Sequence, residues 1–438
     1  MSTVADAAAQ VLNDNWRGTH TVPASGLYPH QWSWDSAFIA IGLRHLSPVR
    51  AQTELDSLFA AQWTDGRLPQ IVFDVRHDDS YSPGDAFWRS ASIPGSASVP
   101  TSGLIQPPNH AMAAWLVHES DPDESTRRGF LERAYPRLSR WHDYLARRRG
   151  GDSGLAYVVH PWESGMDNSP YWDAALGAMT GDTAASVPRP DLRHAAAAHR
   201  PSNAEYGKYL SLAARYRENG CDDSPASSPF RFEDPAVNAL WARSELALAQ
   251  IAESVGADPR PHLDRAARIT RALEQLWSDD LGVYTARDLA TGVLQPYRSV
   301  AGLIPVLVPG IGRGDELRSE LAGPHFRLGE VALVPSLDLD SAAFDRSRYW
   351  RGPSWFNTAW LLAQALLERG EPDAARALAL DCARSALAGD FPEYLDPYTR
   401  EPRGTLRFSW TAALTLDLVT RLKPDLPDQP SSTRRPAP

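Results

Sequence analysis

Two segments place carboxylates where they could move protons. In 161–173, PWESGMDNSPYWD, Glu163 and Asp167 sit in a Gly- and Pro-punctuated loop flanked by Trp162 and Trp172. Indoles exclude water, and a desolvated carboxyl keeps its proton to higher pH, as a general acid working near neutrality must. In 389–402, GDFPEYLDPYTREP, Asp390, Glu393 and Asp396 again lie between aromatics and prolines, and Glu393 is the candidate to activate a water. Each segment also has a plainer account: Asp167 or Asn168 could cap a turn, and Glu393 could be a solvated loop residue. Together they point to one chemistry, because glycoside hydrolysis needs two carboxylates on opposite sides of a single bond.

Two further segments, GLYPHQWSWDSAF at 26–38 and YWRGPSWFNTAW at 349–360, gather aromatics and a polar or charged residue just before an apolar helix. Asp35 could accept hydrogen bonds from sugar hydroxyls, and Trp32, Trp34, Trp350 and Trp355 could wall a sugar ring. The alternative for 34–38 is a helix N-cap at Ser33 or Asp35 beside ordinary core aromatics.

The elements that must position these residues are helices. Apolar spacing at i, i+3 and i+4 predicts helices over roughly 35–46, 49–63, 109–119, 125–148, 235–256, 260–278, 298–308, 354–369, 372–388 and 409–422. Strand alternation is almost absent, apart from short pieces such as 282–286 that could form hairpins. The stretches 356–367 and 109–117 are apolar nearly all round, which implies burial on every side, whereas 125–148 and 372–388 carry one charged face. An inner and an outer ring follow, giving an all-α (α/α)6 barrel; a helical solenoid would need a fixed repeat, and none recurs. Long aromatic-rich loops, especially 64–108 and 160–234, are expected to form a cap over the barrel mouth. Residues 1–422 read as one catalytic domain, and the Pro-rich tail 423–438 has nothing to bury and is expected to be disordered.

Forty-four basic against 54 acidic side chains leave a formal charge of −10, which repels nucleic acid and anionic lipid, so neither is an expected partner. Cys221 and Cys382 are too few for a disulfide framework and read as reduced and structural, which favours the cytoplasm. No run approaches the roughly 20 apolar residues of a membrane span. His30, His110, His194 and His199 have no recurring ligand spacing, so neither a metal nor a cofactor is expected.

PHQWSWDSAF at 29–38, WESGMDNSP at 162–170, YWRGPSW at 349–355 and FPEYLDPYTREPRG at 391–404 together resemble glycoside hydrolase family 63, and within it the small bacterial glucosylglycerate and mannosylglycerate hydrolases. The resemblance covers nearly the whole chain. It implies an (α/α)6 barrel and an inverting mechanism with Asp167 as acid and Glu393 as base. It places Tyr28, Trp32, Trp34, Asp35, Tyr81, Gln106, Trp162, Gly165, Tyr349, Trp350, Trp355 and Trp410 at the substrate, and Arg200 and Tyr206 at a glycerate carboxylate. A guanidinium suits that carboxylate through its planar two-pronged donors. Arg200 has no acidic neighbour within three residues, so its charge is expected to be free for a ligand. One departure is Thr-Arg-Glu at 399–401, where many members of the family carry Thr-Gly-Glu or a similar turn.

The expected partner is a small glycoside, with a homo-oligomer left open. Two other readings stand beside hydrolysis: another small α-glucoside as substrate, or a sugar epimerase or isomerase on the same barrel, which would use histidines as acid and base. A non-catalytic sugar-binding scaffold would keep the aromatics without depending on Asp167. Glucose and mannose differ at one hydroxyl, and the sequence does not choose between them.

Overall fold

The computed structural model describes residues 3–179, 189–193, 197–224 and 228–424. His194 and most of the expected tail, from residue 425 onward, lie outside the described residues. Helices dominate: α1 Val4–Asp14, α2 Ser33–Leu43, α3 Pro48–Ala60, α4 His110–Ser120, α5 Phe130–Arg148, α6 Asn203–Glu218, α7 Pro235–Ser254, α8 Arg260–Leu273, α9 Gly314–Ala322, α10 Phe356–Glu368, α11 Pro372–Ala388 and α12 Ser409–Leu422.

Their starts are written locally. Asp234 accepts the Val237 N–H and Ser47 the Arg50 N–H, each followed by a proline at the first helical position, where its missing donor costs nothing. Thr3 with Asp6, and Ser202 with Glu205, form reciprocal capping boxes on α1 and α6.

The inner ring runs α2, α4, α7, a pair of 3-10 turns, α10 and α12, and closes where α12 packs on α2. Every residue of α2 is buried, as are Phe356–Leu366 of α10 and 409–418 of α12. Around it α3 backs α2, α5 spans α4 and α7, α8 backs α7, α9 backs the turns, α11 spans α10 and α12, and α1 covers α12. This is the (α/α)6 barrel. Where α2 and α12 cross, Gly42 permits a close approach: a Cβ there would stand 2.3 Å from the Ala413 Cα.

Three expectations change. The helix over 298–308 is instead the 3-10 turns Val300–Gly302 and Ile304–Leu307. Pro305 lacks a donor, and Gly302 presses so close to the Tyr284 carbonyl that a Cβ would lie 2.0 Å from its oxygen. The span 125–148 divides at Gly129, whose φ of +60° ends Pro122–Arg127 before α5 begins. The region 160–234 is not all loop, since α6 lies within it.

The strands are two residues long. Tyr394–Leu395 is the centre of an antiparallel three-stranded sheet, pairing Trp355 with Tyr394 on one side and Arg403 with Tyr394 on the other. Trp277–Ser278 and Val283–Tyr284 make the hairpin expected near 282–286. No helix among the described residues is long and apolar enough to cross a membrane.

Candidate active site

The inner helices begin where one pocket opens. Tyr28, Trp32, Trp34 and Asp35 reach it from the entry to α2 and its first turn, and Gln106 from the segment ahead of α4. Tyr349 and Trp350 precede α10, Trp410 lies in the first turn of α12, and Glu393 stands just before the central strand. The two long loops supply the rest: Tyr81 from 64–108, and Trp162, Gly165, Asp167, Arg200 and Tyr206 from 160–234. Counting the open solvent at its mouth, the pocket encloses about 850 Å³ of space free of protein atoms.

Trp355 does not line it. It lies one layer back, stacked on Trp350 at 3.9 Å between centroids and on Tyr394 at 4.5 Å, so it stiffens the wall. The sequence reading missed Pro23, Gln70, Ser82, Asp191, Pro201 and Phe408. Phe408 was signalled by its place two residues before Trp410; the others lie in loops where nothing local marks direction.

Glu393 is buried, and four donors converge on it. Tyr28 Oη gives a hydrogen bond to Oε1 at 2.9 Å and Tyr349 Oη another at 3.3 Å. The Thr405 N–H donates to Oε2 at 3.1 Å, and Arg200 Nη2 lies 3.5 Å from the same oxygen. Gly404 allows this approach in two ways: its φ is +71°, and a Cβ would lie 2.3 Å from Oε2. Tyr349 holds a φ of +43°, a strained conformation fixed by the Trp355 Nε1 donor on its carbonyl at 3.0 Å. Donors converging on a carboxylate suit a general base.

Asp167 has the opposite surroundings. Burial pushes its carboxyl up, Arg200 pulls it down, Glu393 pushes it up again, and the balance stands at about 7. A carboxyl so placed keeps its proton about half the time at neutrality, which is enough for it to serve as a general acid. Gly165, at φ +72°, lets its loop lie flat on Trp34, where a Cβ would be 2.4 Å from the indole. Asn168 does not cap its own turn; its side-chain oxygen accepts the Trp350 N–H at 2.9 Å and ties the acid loop to the aromatic wall.

The remaining carboxylates separate by partner. Glu163 is locked in a two-pronged pair with Arg149 at 2.6 and 2.7 Å and accepts the Ile105 and Val159 N–H groups. It anchors the loop from behind. Asp396 caps the turn at Tyr398 and Thr399, and Asp390 is exposed. Asp35 lines the pocket, its carboxyl raised well above the usual range by burial and then by Glu393. α2 has no side-chain cap, and Ser33 Oγ engages His110 Nε2 instead, so the capping account of 34–38 falls away.

The expectation for Arg200 needs correction. Its charge is not free: it stands against Glu393 and donates to Tyr28 Oη at 2.9 Å, an acidic partner 193 positions away that no sequence window could show. Tyr206 donates to the Ser82 carbonyl at 2.6 Å, joining the two loops. His325, Asp338 and Asp340 could hold a metal, with ligand atoms within 4.8 Å of one another, but outside the pocket. There His325 is engaged by Glu320 and Asp338 by Arg298.

Residues 28–411 match the mannosylglycerate hydrolase MGH1-like glycoside hydrolase domain. The chain belongs to this family. It is a glycoside hydrolase of family 63. A mannosylglycerate hydrolase of Rubrobacter radiotolerans is 38% identical over 423 residues, covering 94% of this chain and 96% of the relative. A glucosylglycerate hydrolase of Mycolicibacterium hassiacum is 37% identical over 443 residues, covering 94% and 97%. The crystal structure of the family 63 mannosylglycerate hydrolase of Thermus thermophilus in complex with Tris and D-glycerate superposes with a TM-score of 0.87 at 36% identity, covering 95% of this chain and all of that one.

Proposed function

We propose that this chain is an inverting α-glycosidase that hydrolyses glucosylglycerate or mannosylglycerate to the free sugar and glycerate. The observation that carries the mechanism is the contrast inside one pocket: Asp167 holds its carboxyl at about 7, while Glu393 is ringed by donors. Asp167 gives its proton to the glycosidic oxygen as the bond breaks, and Glu393 takes one from a water attacking the opposite face. The glycone lies among Trp32, Trp34, Trp162, Trp350 and Trp410 with Asp35 on its hydroxyls, and Arg200 and Tyr206 meet the glycerate. The names of the relatives and the D-glycerate in the Thermus complex support that substrate class. Among the described residues no histidine lines the pocket, which counts against an epimerase or isomerase.

The test is incubation with α-glucosides and α-mannosides of glycerate, glycerol and glucose, followed by proton NMR from the first turnover. Hydrolysis of a glycerate glycoside with the β anomer appearing first is expected. First release of the α anomer would overturn inversion, and indifference to glycerate would overturn the substrate.

A further inference from the structure

The general acid is held by a hydrogen bond to its main chain. Tyr209 Oη donates to the Asp167 carbonyl oxygen at 3.0 Å, and no other residue among the described ones hydrogen-bonds to Asp167. A short side chain goes where its backbone takes it, so this bond bears on the aim of the carboxyl. Tyr209 lies on α6, is 1% exposed and does not line the pocket. It grips the acid loop at both ends. His160 Nδ1 accepts the Trp162 N–H at 3.0 Å, which leaves the ring proton on Nε2, and Nε2 donates to the Tyr209 carbonyl at 2.9 Å. The Tyr209 ring packs edge-on against His160 and Trp162, each 6.0 Å away between centroids. The same stretch of chain also reaches the base. Arg200 stands 3.5 Å from Glu393 and donates to Tyr28, while Tyr206, one turn before Tyr209, donates to the Ser82 carbonyl. Residues 200–209 therefore touch the base, the opposing loop and the acid in turn.

We propose that Tyr209 is the positioning residue of the general acid, and that through it α6 holds Asp167 at the spacing from Glu393 that hydrolysis with inversion requires. That spacing decides whether a water fits between the base and the sugar, so the element that fixes it bears directly on the reaction. This rests on the reading of Asp167 as the acid. Tyr209 does not touch the substrate, and its effect passes through Asp167. A tyrosine that only supports the fold would matter equally for every substrate. One that aims an acid matters only where the leaving group needs a proton.

Tyr209→Phe separates the two roles, because it keeps the ring and its packing and removes only the hydroxyl. Two substrates of one sugar are compared. One is the α-glycoside that the native enzyme cleaves best among those of glycerate, glycerol and glucose, whose alkoxide must be protonated as it leaves. The other is the α-glycosyl fluoride, whose fluoride departs without a proton from the enzyme. In Tyr209→Phe, kcat is expected to fall about 10-fold on the glycoside and to stay within about twofold on the fluoride. Asp167→Asn should show the same split, more widely, and adding Tyr209→Phe to it should lower kcat on the glycoside no further. Equal losses on the two substrates, full activity on both, or additive losses in the double variant overturn the positioning role and leave the acid assignment intact. Absence of the split in Asp167→Asn removes the acid assignment and the proposal with it. Because the glycoside is chosen by turnover, a preference for an aglycone other than glycerate overturns that substrate without touching this comparison.

Discussion

At Asp167, function and stability pull in opposite directions. Its folded carboxyl sits at about 7 against an ordinary 3.8, so the folded chain binds the proton more tightly than the unfolded one. That penalty on folding grows as pH rises from about 4 and is complete above about 7. Asp167→Asn should therefore lower kcat by at least about 10²-fold. The same variant should melt higher than the native protein, by more at pH 8 than at pH 5. Asp167 keeps some exposure to the pocket, so the gain expected from calorimetry is about 1–2 kcal/mol rather than the full penalty. Gly404→Ala should act on the other carboxylate: the new methyl would collide with Glu393 Oε2, in a backbone conformation only glycine accepts without strain. A drop in kcat of about 10- to 10²-fold, with KM little changed, is the expected kinetic signature. Of the site, the sequence showed what local composition can show, namely carboxylates in indole-rich loops. It hid Arg200's pairing with Glu393 and the one-layer retreat of Trp355, because both depend on contacts between distant segments.

Among the elements, legibility follows the signals at the helix ends. The ranges 372–388 and 409–422 match α11 and α12 to the residue, because each ends at a strong signal, a proline at the first turn or a change from apolar to polar sequence. α6 was hidden by a weak apolar stripe within a Gly- and Pro-rich region, although its Ser202–Glu205 capping box is plain in retrospect. The 3-10 turns at 300–307 misled because periodicity reports which side is buried, and these turns do occupy an inner-ring position; only Pro305 argued against a helix. The α2–α12 crossing depends on Gly42. Gly42→Ala would add a methyl inside the Ala413 backbone, and about 2–3 kcal/mol of destabilisation is expected in urea unfolding, with the m-value unchanged.

Across the whole molecule, buried carboxylates tie neighbouring helices together. Glu245 of α7 takes His142 from α5 at 2.9 Å, and His262 and Arg265 from α8 at 2.9 and 3.0 Å. Burial opposes its ionisation, but these partners outweigh it and hold the carboxyl below its ordinary 4.5. Asp417 of α12 is likewise held low, as burial is overcome by His45, Arg44 and Arg421. Depressed carboxyls contribute stability that is full above their unfolded values, near 4, and is lost as pH falls below them. The native protein should therefore unfold steeply in acid. Glu245→Gln should cost about 3–5 kcal/mol at pH 7 and show a flatter melting profile below pH 4.5.

Ring closure also sets the order in which this chain can be made. Asn15 bonds Ser409 across 394 positions, and Arg44 bonds Asp417 across 373. The early helices α1 and α2 thus meet their partner only when α12 leaves the ribosome. At about 5–20 residues per second, the face of α2 that α12 covers stays open for tens of seconds during synthesis. Nascent chains stalled before residue 409 should bind holdase chaperones and be cut readily by protease, while release of the full chain should end both.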